Sequence, residues 1–277
     1  MRATVTFFVS LLLYCEQSSA QLTREEKQSG LDLHNDLRRQ EGASDMLLMQ
    51  WDQDLAEFAQ QYADECRFSH SSSADRMGLV NDFSWIGENL YVTSATNPDS
   101  VLDTAIQAWY NEISDYDYNS NTCQPSRVCG HYTQVVWARS YLVGCGAASC
   151  TRLYDAGFSS GTLVVCNYAP GGNIIGQHPY TVGGACTSCP VDASNCVDGL
   201  CSALSAPFAV PDDDNAGEII KPNGLYYVLC KCLTSRKLLH LFHNLTRRLN
   251  YFNMTPQTNM GINIAYEVQT VIAILHK

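Results

Sequence analysis

The sequence has little positive charge. Lysine and arginine number 17 against 28 aspartates and glutamates, a formal net charge of -11 over 277 residues. Such a chain has no basic face with which to neutralise phosphates. Nucleic acid is therefore excluded as a partner, as is adsorption to anionic lipid by charge alone. The sequence also lacks an apolar run of membrane-spanning length, so no transmembrane segment is expected. It lacks a His-Glu-x-x-His helix, which excludes that class of metalloprotease. It has no internal repeats. No Gly-x-Ser-x-Gly elbow is expected, and no serine stands in a strand-turn-helix context, so an ordinary serine hydrolase is not indicated.

What is present begins with an export signal. Arg2 supplies positive charge, Val5 to Tyr14 an apolar stretch, and Ser18-Ser19-Ala20 a small-residue cleavage site. Residues 1–20 are read as a signal peptide and the product as secreted to the extracellular space. Of 13 cysteines, Cys15 leaves with the signal. An even number remains, in a compartment where disulfides persist.

Thr23-Arg24-Glu25-Glu26 spells a capping box, so a helix starts there and runs through Leu33 and Leu37. The spacing of Trp51, Leu55, Phe58, Ala59 and Tyr62 predicts a second helix over about 52–66. Leu102, Ile106, Trp109 and Ile113 predict a third, opened by Pro98 and Asp99. Residues 67–83 and 115–127 read as polar loops. Three strands are then expected, over 131–138, 142–148 and 162–168, rich in β-branched and aromatic residues. On the first of these, His131, Thr133, Val135 and Trp137 would share a face. Helices before strands imply an α+β fold with an antiparallel sheet.

From Gly183 the composition changes. Cys186, Cys189, Cys196 and Cys201 fall in a stretch almost free of large apolar residues, which must be stapled by disulfides. Residues 205–224 read as a linker rich in Pro, Asp, Asn and Gly. Residues 225–277 are more basic and show no domain pattern. They carry the two glycosylation sequons, at Asn244 and Asn253, and Cys230 and Cys232.

Four motifs support a resemblance. Gly130-His131-Tyr132-Thr133-Gln134-Val135-Val136-Trp137-Ala138-Arg139-Ser140 resembles the first signature of the CAP superfamily of cysteine-rich secretory proteins, antigen 5 and pathogenesis-related protein 1. Val164-Val165-Cys166-Asn167-Tyr168-Ala169-Pro170-Gly171-Gly172-Asn173-Ile174 is similar to the second. Gly87-Glu88-Asn89-Leu90-Tyr91 and His34-Asn35-Asp36-Leu37-Arg38 match two further motifs. The C-x2-C-x6-C-x4-C segment resembles the hinge of cysteine-rich secretory proteins. The six-cysteine domain that follows the hinge there is absent, an arrangement similar to proteins of the peptidase inhibitor 16 type.

The resemblance implies a three-layer α-β-α sandwich around a central antiparallel sheet. The domain would span 21–182 and the hinge 183–203, with 204–277 as linker and tail. It implies an extracellular binding or signalling module whose partner is a protein, a sterol or a lipid. It also implies a cleft tetrad: His70, Glu88, Glu112 and His131. Imidazole nitrogens suit zinc and similar divalent ions, which makes His70 and His131 candidate ligands. Glu88 and Glu112 either complete the ligand set or orient the histidines from behind while water fills the open positions. A third reading is a buried polar network with no chemistry, in which two imidazoles and two carboxylates satisfy one another. No cofactor is required by any of these residues, and none is assigned as catalytic. The competing readings are a cation-dependent hydrolase using the same cleft, with Ser69, Ser71, Ser72 or Ser73 beside His70, and a sterol or lipid carrier. His34 is expected to pack against the sheet rather than to ligate.

Cys145 and Cys166 lie on adjacent expected strands, which suits a bridge; Cys123 and Cys129 can close a short loop; Cys66 is left for Cys150. The resemblance implies Cys186–Cys196 and Cys189–Cys201 in the hinge. Sequence alone does not choose among connectivities.

Overall fold

A computed structural model describes residues 21–81, 83–203 and 209–210. In chain order the elements are α1 (Arg24–Gln40), β1 (Gln50–Trp51), α2 (Gln53–Ala63), α3 (Ser73–Arg76), β2 (Gly87–Thr93) and α4 (Val101–Tyr110). After α4 come a 3-10 turn (Asn111–Asp115), β3 (Tyr116–Asp117), β4 (Thr122–Cys123) and α5 (Gly130–Val135). The last elements are β5 (Leu142–Cys150), β6 (Gly161–Ala169), a 3-10 turn (Val191–Ala193), β7 (Asn195–Val197) and β8 (Leu200–Ser202).

The capping box at α1 is formed. Thr23 Oγ1 accepts from Glu26 N–H at 3.2 Å, and Thr23 N–H donates to Glu26 Oε2 at 2.8 Å. At α2, Asp52 caps Leu55 N–H at 2.9 Å. Both helices bury one stripe, as their periodicity requires. The central sheet has the order β1-β5-β6-β2 and is antiparallel except for the short parallel pair β1–β5. Along β6, Val164, Cys166 and Tyr168 join the core shared with Leu102, Ile106 and Trp109 of α4, while Leu163 and Val165 pack with Ala59 and Ala63 of α2. Helices thus cover both faces, which explains the continuous apolar run of this strand.

Two glycines set the approach of α2. A Cβ on Gly144 would lie 2.2 Å from Ala56 N, and one on Gly146 would lie 2.4 Å from Gln60 Cα. Only glycine lets the helix backbone rest on β5 at this distance.

The structure corrects the first expected strand. Residues 130–135 form helix α5, and the strand assigned to 131–138 does not exist. Strand β2 pairs with β6 instead, in the register Glu88↔Asn167 and Asn89↔Cys166. The β-branched and aromatic composition of 131–138 favours a strand locally, but tertiary partners satisfy both ends of a helix. At the N-terminus, Glu112 Oε2 accepts from the N–H groups of His131 at 3.0 Å and Tyr132 at 3.2 Å. At the C-terminal side, the buried Arg38 donates to the carbonyls of Val135, Trp137, Ala138 and Ser140, and also to Leu47. A carboxylate at the start and a guanidinium at the end complement the helix dipole. Tyr132, Gln134 and Val135 are buried, with His131 and Thr133 half-exposed. A smaller difference is the short helix α3 inside the expected 67–83 loop.

Among the described residues the disulfides are Cys66–Cys150, Cys123–Cys129, Cys145–Cys166, Cys186–Cys196 and Cys189–Cys201. Cys66–Cys150, with a sequence separation of 84, removes most chain entropy, roughly 4–5 kcal/mol in the loop-closure picture. The hinge region has no core of its own, and its Val197 and Leu200 join the main core. Cys201 bonds through its backbone to Met46 and Leu48. Val210 is 2% exposed and returns to α1, its N–H donating to Gln28 Oε1 at 2.8 Å. Asn244, Asn253, Cys230, Cys232, the signal peptide and most of the linker lie outside the described residues.

Candidate functional site

The four expected site residues come from four elements and meet as two carboxylate–imidazole pairs. His70 follows α2 in a loop held to it by Tyr62 Oη, which donates to Ser69 O at 2.6 Å. His70 Nδ1 lies 2.9 Å from Glu88 Oε1 on β2. His131 on α5 places Nδ1 2.7 Å from Glu112 Oε1, in the 3-10 turn after α4. Both pairs attach to the edge strand β2 at consecutive residues, because Asn89 Nδ2 donates to His131 O at 3.1 Å. Trp109 stacks on the His131 ring at 6.3 Å and anchors through Nε1 to Leu90 O.

The carboxylates are saturated. Glu88 Oε1 accepts from His70 Nδ1, Ser71 N and Arg76 Nη1, and Oε2 accepts from Ser71 Oγ at 2.6 Å and Asn167 Nδ2 at 3.5 Å. Burial alone raises the Glu88 pKa. Hydrogen bonds from His70 and Ser71 with the charge of Arg76 outweigh it and hold the carboxyl below its usual range. Glu112 spends Oε1 on His131 Nδ1 and Oε2 on the two N–H groups of α5. A carboxylate only accepts, so each imidazole donates from Nδ1, and in the neutral ring Nε2 is the nitrogen with the free lone pair. The side chain of His70 is 59% exposed and that of His131 is 27% exposed.

Ser71 and Arg76 belong to this site. Buried Arg76 also donates to Ser71 O and Ile86 O, tying the His70 loop to the residues before β2. Arg76 lies in a polar stretch without periodicity, so nothing in the sequence marked it. The serine chemistry is in the wrong order for a nucleophilic triad. Here Glu88 stands between Ser71 and His70, whereas a triad needs the histidine between the serine and the acid. The chain does spell Gly-x-Ser-x-Gly once, at Gly157-Phe158-Ser159-Ser160-Gly161, contrary to the expectation above. That segment is an exposed bend leading into β6, not a strand-to-helix elbow.

His34 is 1% exposed, donates from Nδ1 to Gly30 O at 2.7 Å and accepts at Nε2 from Tyr168 Oη at 3.0 Å. Burial pushes its pKa down to about 4, so it is a neutral packing residue. Among the described residues, one group of three or more potential ligand atoms lies within 4.8 Å: the sulfurs of Cys186, Cys189 and Cys201. All three are oxidised in disulfides and offer no thiolate. No described helix is long and apolar enough to cross a membrane.

Comparison with known proteins follows the same lines. The family described as "Cysteine-rich secretory protein family" (CAP) matches residues 31–168. GLIPR1-like protein 1 of Mus musculus is 41% identical over 179 residues, covering 63% of this chain and 71% of that one. Peptidase inhibitor 16 of Mus musculus is 39% identical over 193 residues, covering 69% of this chain and 36% of that protein. The chain therefore matches little more than a third of the peptidase inhibitor 16 length. Among solved structures, "NaASP2 with Zn2+" aligns with a TM-score of 0.53 and 27% identity, over 68% of this chain and 98% of that one. Na-ASP-1 aligns with a TM-score of 0.54 and 29% identity, over 68% of this chain and 50% of that one.

Proposed function

Since the chain belongs to the CAP family of cysteine-rich secretory proteins, we propose that it is a secreted, disulfide-stapled binding module whose His70 and His131 hold a divalent cation. The observation that supports this reading is the matched state of the two imidazoles. Each Nδ1 is fixed by a carboxylate, leaving Nε2 as the ligand atom, which is the carboxylate–histidine arrangement used around metal ions. Glu88 and Glu112 act behind the histidines, since their oxygens already accept several donors. Two protein ligands leave positions for water or for a partner's side chain, and a borderline ion such as zinc suits the imidazole set. The structural relative NaASP2, solved with Zn2+, adds support.

A hydrolase with Ser71 as nucleophile is disfavoured by the Ser71–Glu88–His70 order. A sterol carrier needs an enclosed apolar cavity, whereas the groove between α1 and α4, lined by Leu33, Asp103, Thr104, Gln107, Ala108 and Asn111, is open to solvent. Binding of an extracellular protein is the reading we favour, in a protein of the peptidase inhibitor 16 type.

The test is thermal unfolding of the full chain with and without zinc. At a hundred-fold excess over Kd the wild type gains about 2.7 kcal/mol and melts a few degrees higher. The double variant His70→Ala, His131→Ala loses that shift, and His178→Ala keeps it. An unchanged shift in the double variant would falsify the proposal.

A further inference from the structure

The hinge holds two disulfides of very different accessibility in close contact. Cys196 is exposed, Cys186 and Cys189 are half-buried, and Cys201 is 1% exposed on β8. The sulfur of Cys186 nevertheless lies within 4.8 Å of those of both Cys189 and Cys201, members of the other bridge. Cys186 also sits at φ 59, a left-handed conformation that costs a non-glycine residue free energy. Among the described half-cystines Cys196 is the exposed one: Cys145 and Cys166 are 2% and 0% exposed, and the half-buried Cys66 and Cys123 are bonded to Cys150 at 2% and Cys129 at 5%.

We propose that the hinge is a thiol-exchange site, at which an extracellular thiol becomes covalently attached to Cys196 and the two hinge bridges exchange partners. In the first step an external thiolate of the glutathione class attacks the exposed Cys196 sulfur. The Cys186–Cys196 bond breaks, a mixed disulfide forms on Cys196, and Cys186 leaves as thiolate. In the second step the Cys186 thiolate attacks the Cys201 sulfur. An external thiol cannot reach that atom, but Cys186 is already beside it. The Cys189–Cys201 bond breaks, Cys186–Cys201 forms, and Cys189 leaves as thiolate and takes a proton from water. Cys189 is the better leaving group because it is the more solvated, and a buried thiolate is disfavoured. One thiol enters and one thiol results, and two disulfides are present before and after, so no oxidant or reductant is consumed. The outcome frees the segment around Cys189 while Cys201 stays anchored to the backbone of Met46 and Leu48.

The experiment treats the full chain with reduced glutathione, quenches with acid, caps thiols with maleimide and maps peptides by mass spectrometry. Glutathione on Cys196, maleimide on Cys189 and a Cys186–Cys201 linked peptide are expected while Cys145–Cys166 stays closed. Glutathione on Cys196 with maleimide on Cys186 and an intact Cys189–Cys201 overturns the exchange, and first modification at another bridge overturns the site. A second variant isolates the internal step. Cys196→Ser leaves Cys186 as a thiol without any added reagent, and Cys189 should then be the cysteine that takes maleimide. Labelling of Cys186 instead refutes the internal attack. The Cys66–Cys150 and Cys145–Cys166 peptides in the same digest report whether the variant has folded.

Discussion

Glu112 holds His131 and the start of its helix at three points: its Oε1 holds the imidazole Nδ1 at 2.7 Å, and its Oε2 caps the N–H groups of His131 itself and of Tyr132. One side chain therefore sets both the helix that carries the histidine and the tautomer of the ring. The shape of the candidate site and the stability of α5 are the same interaction read at two atoms.

Removing that carboxylate should cost both. Glu112→Ala leaves two helix N–H groups without their acceptor and is expected to lower stability by about 1–2 kcal/mol, the usual cost of a lost cap. Glu112→Gln keeps an acceptor oxygen and should cost less. Chemical denaturation of the two variants checks the order; equal stability of Glu112→Ala and wild type would refute the capping role.

Arg38 is a second point of dependence. Fully buried, with its pKa pushed down to about 9 by that burial, it gathers the carbonyls of Leu47, Val135, Trp137, Ala138 and Ser140. Arg38→Leu should cost about 3–5 kcal/mol, since buried acceptors lose their donors. Arg38→Lys should fall between, because an ammonium has fewer donors and no planar spread. Urea unfolding of both variants measures the difference.

Acid should destabilise the fold in two windows. His34 is pushed down by burial to about 4 from 6.5, with the Gly30 hydrogen bond opposing and the Arg38 charge adding. Between those values the unfolded chain binds a proton that the folded chain does not, so stability falls as pH drops through that interval. Glu88 has its folded pKa below its unfolded value of 4.5, so its contribution is present above 4.5 and is lost as pH falls through the folded value. Unfolding free energy measured from pH 7 down to pH 3 should decline throughout. Glu88→Gln should flatten the part below about pH 4.5 and leave the His34 part in place. A rise in wild-type stability on acidification would contradict both assignments.

The contact of α2 with β5 can be tested at a single methyl group. Gly146→Ala puts a carbon 2.4 Å from Gln60 Cα and N, and overpacking of this kind costs about 1–3 kcal/mol. Gly157→Ala, with nothing within 4 Å, is the control and should change stability by no more than about 0.5 kcal/mol. Thermal unfolding of the pair separates a packing effect from a general effect of replacing glycine.

Elements whose determinants are local were legible in the chain. The capping box at Thr23 and Glu26, the stripes of α2 and α4, and the β-rich runs of β5 and β6 each carry their own period, and the elements formed there. Cys145 and Cys166 could be paired because both strands were legible. The hinge pairs were legible only through resemblance to a family, since spacing leaves several connectivities open. The four site residues came by the same route, and their chemistry as two separate carboxylate–imidazole pairs did not.

By itself, then, the sequence determined the acidic, cysteine-rich character of the protein, its main helices and two of its central strands, because periodicity and capping act within a few residues. Only the tertiary structure decided that 130–135 is a helix. Its ends are satisfied by Glu112, 19 residues from His131, and by Arg38, 97 residues from Val135. A polar group brought in from that distance outweighs the strand preference of the residues between, because unsatisfied backbone groups in the interior cost more than β-propensity supplies.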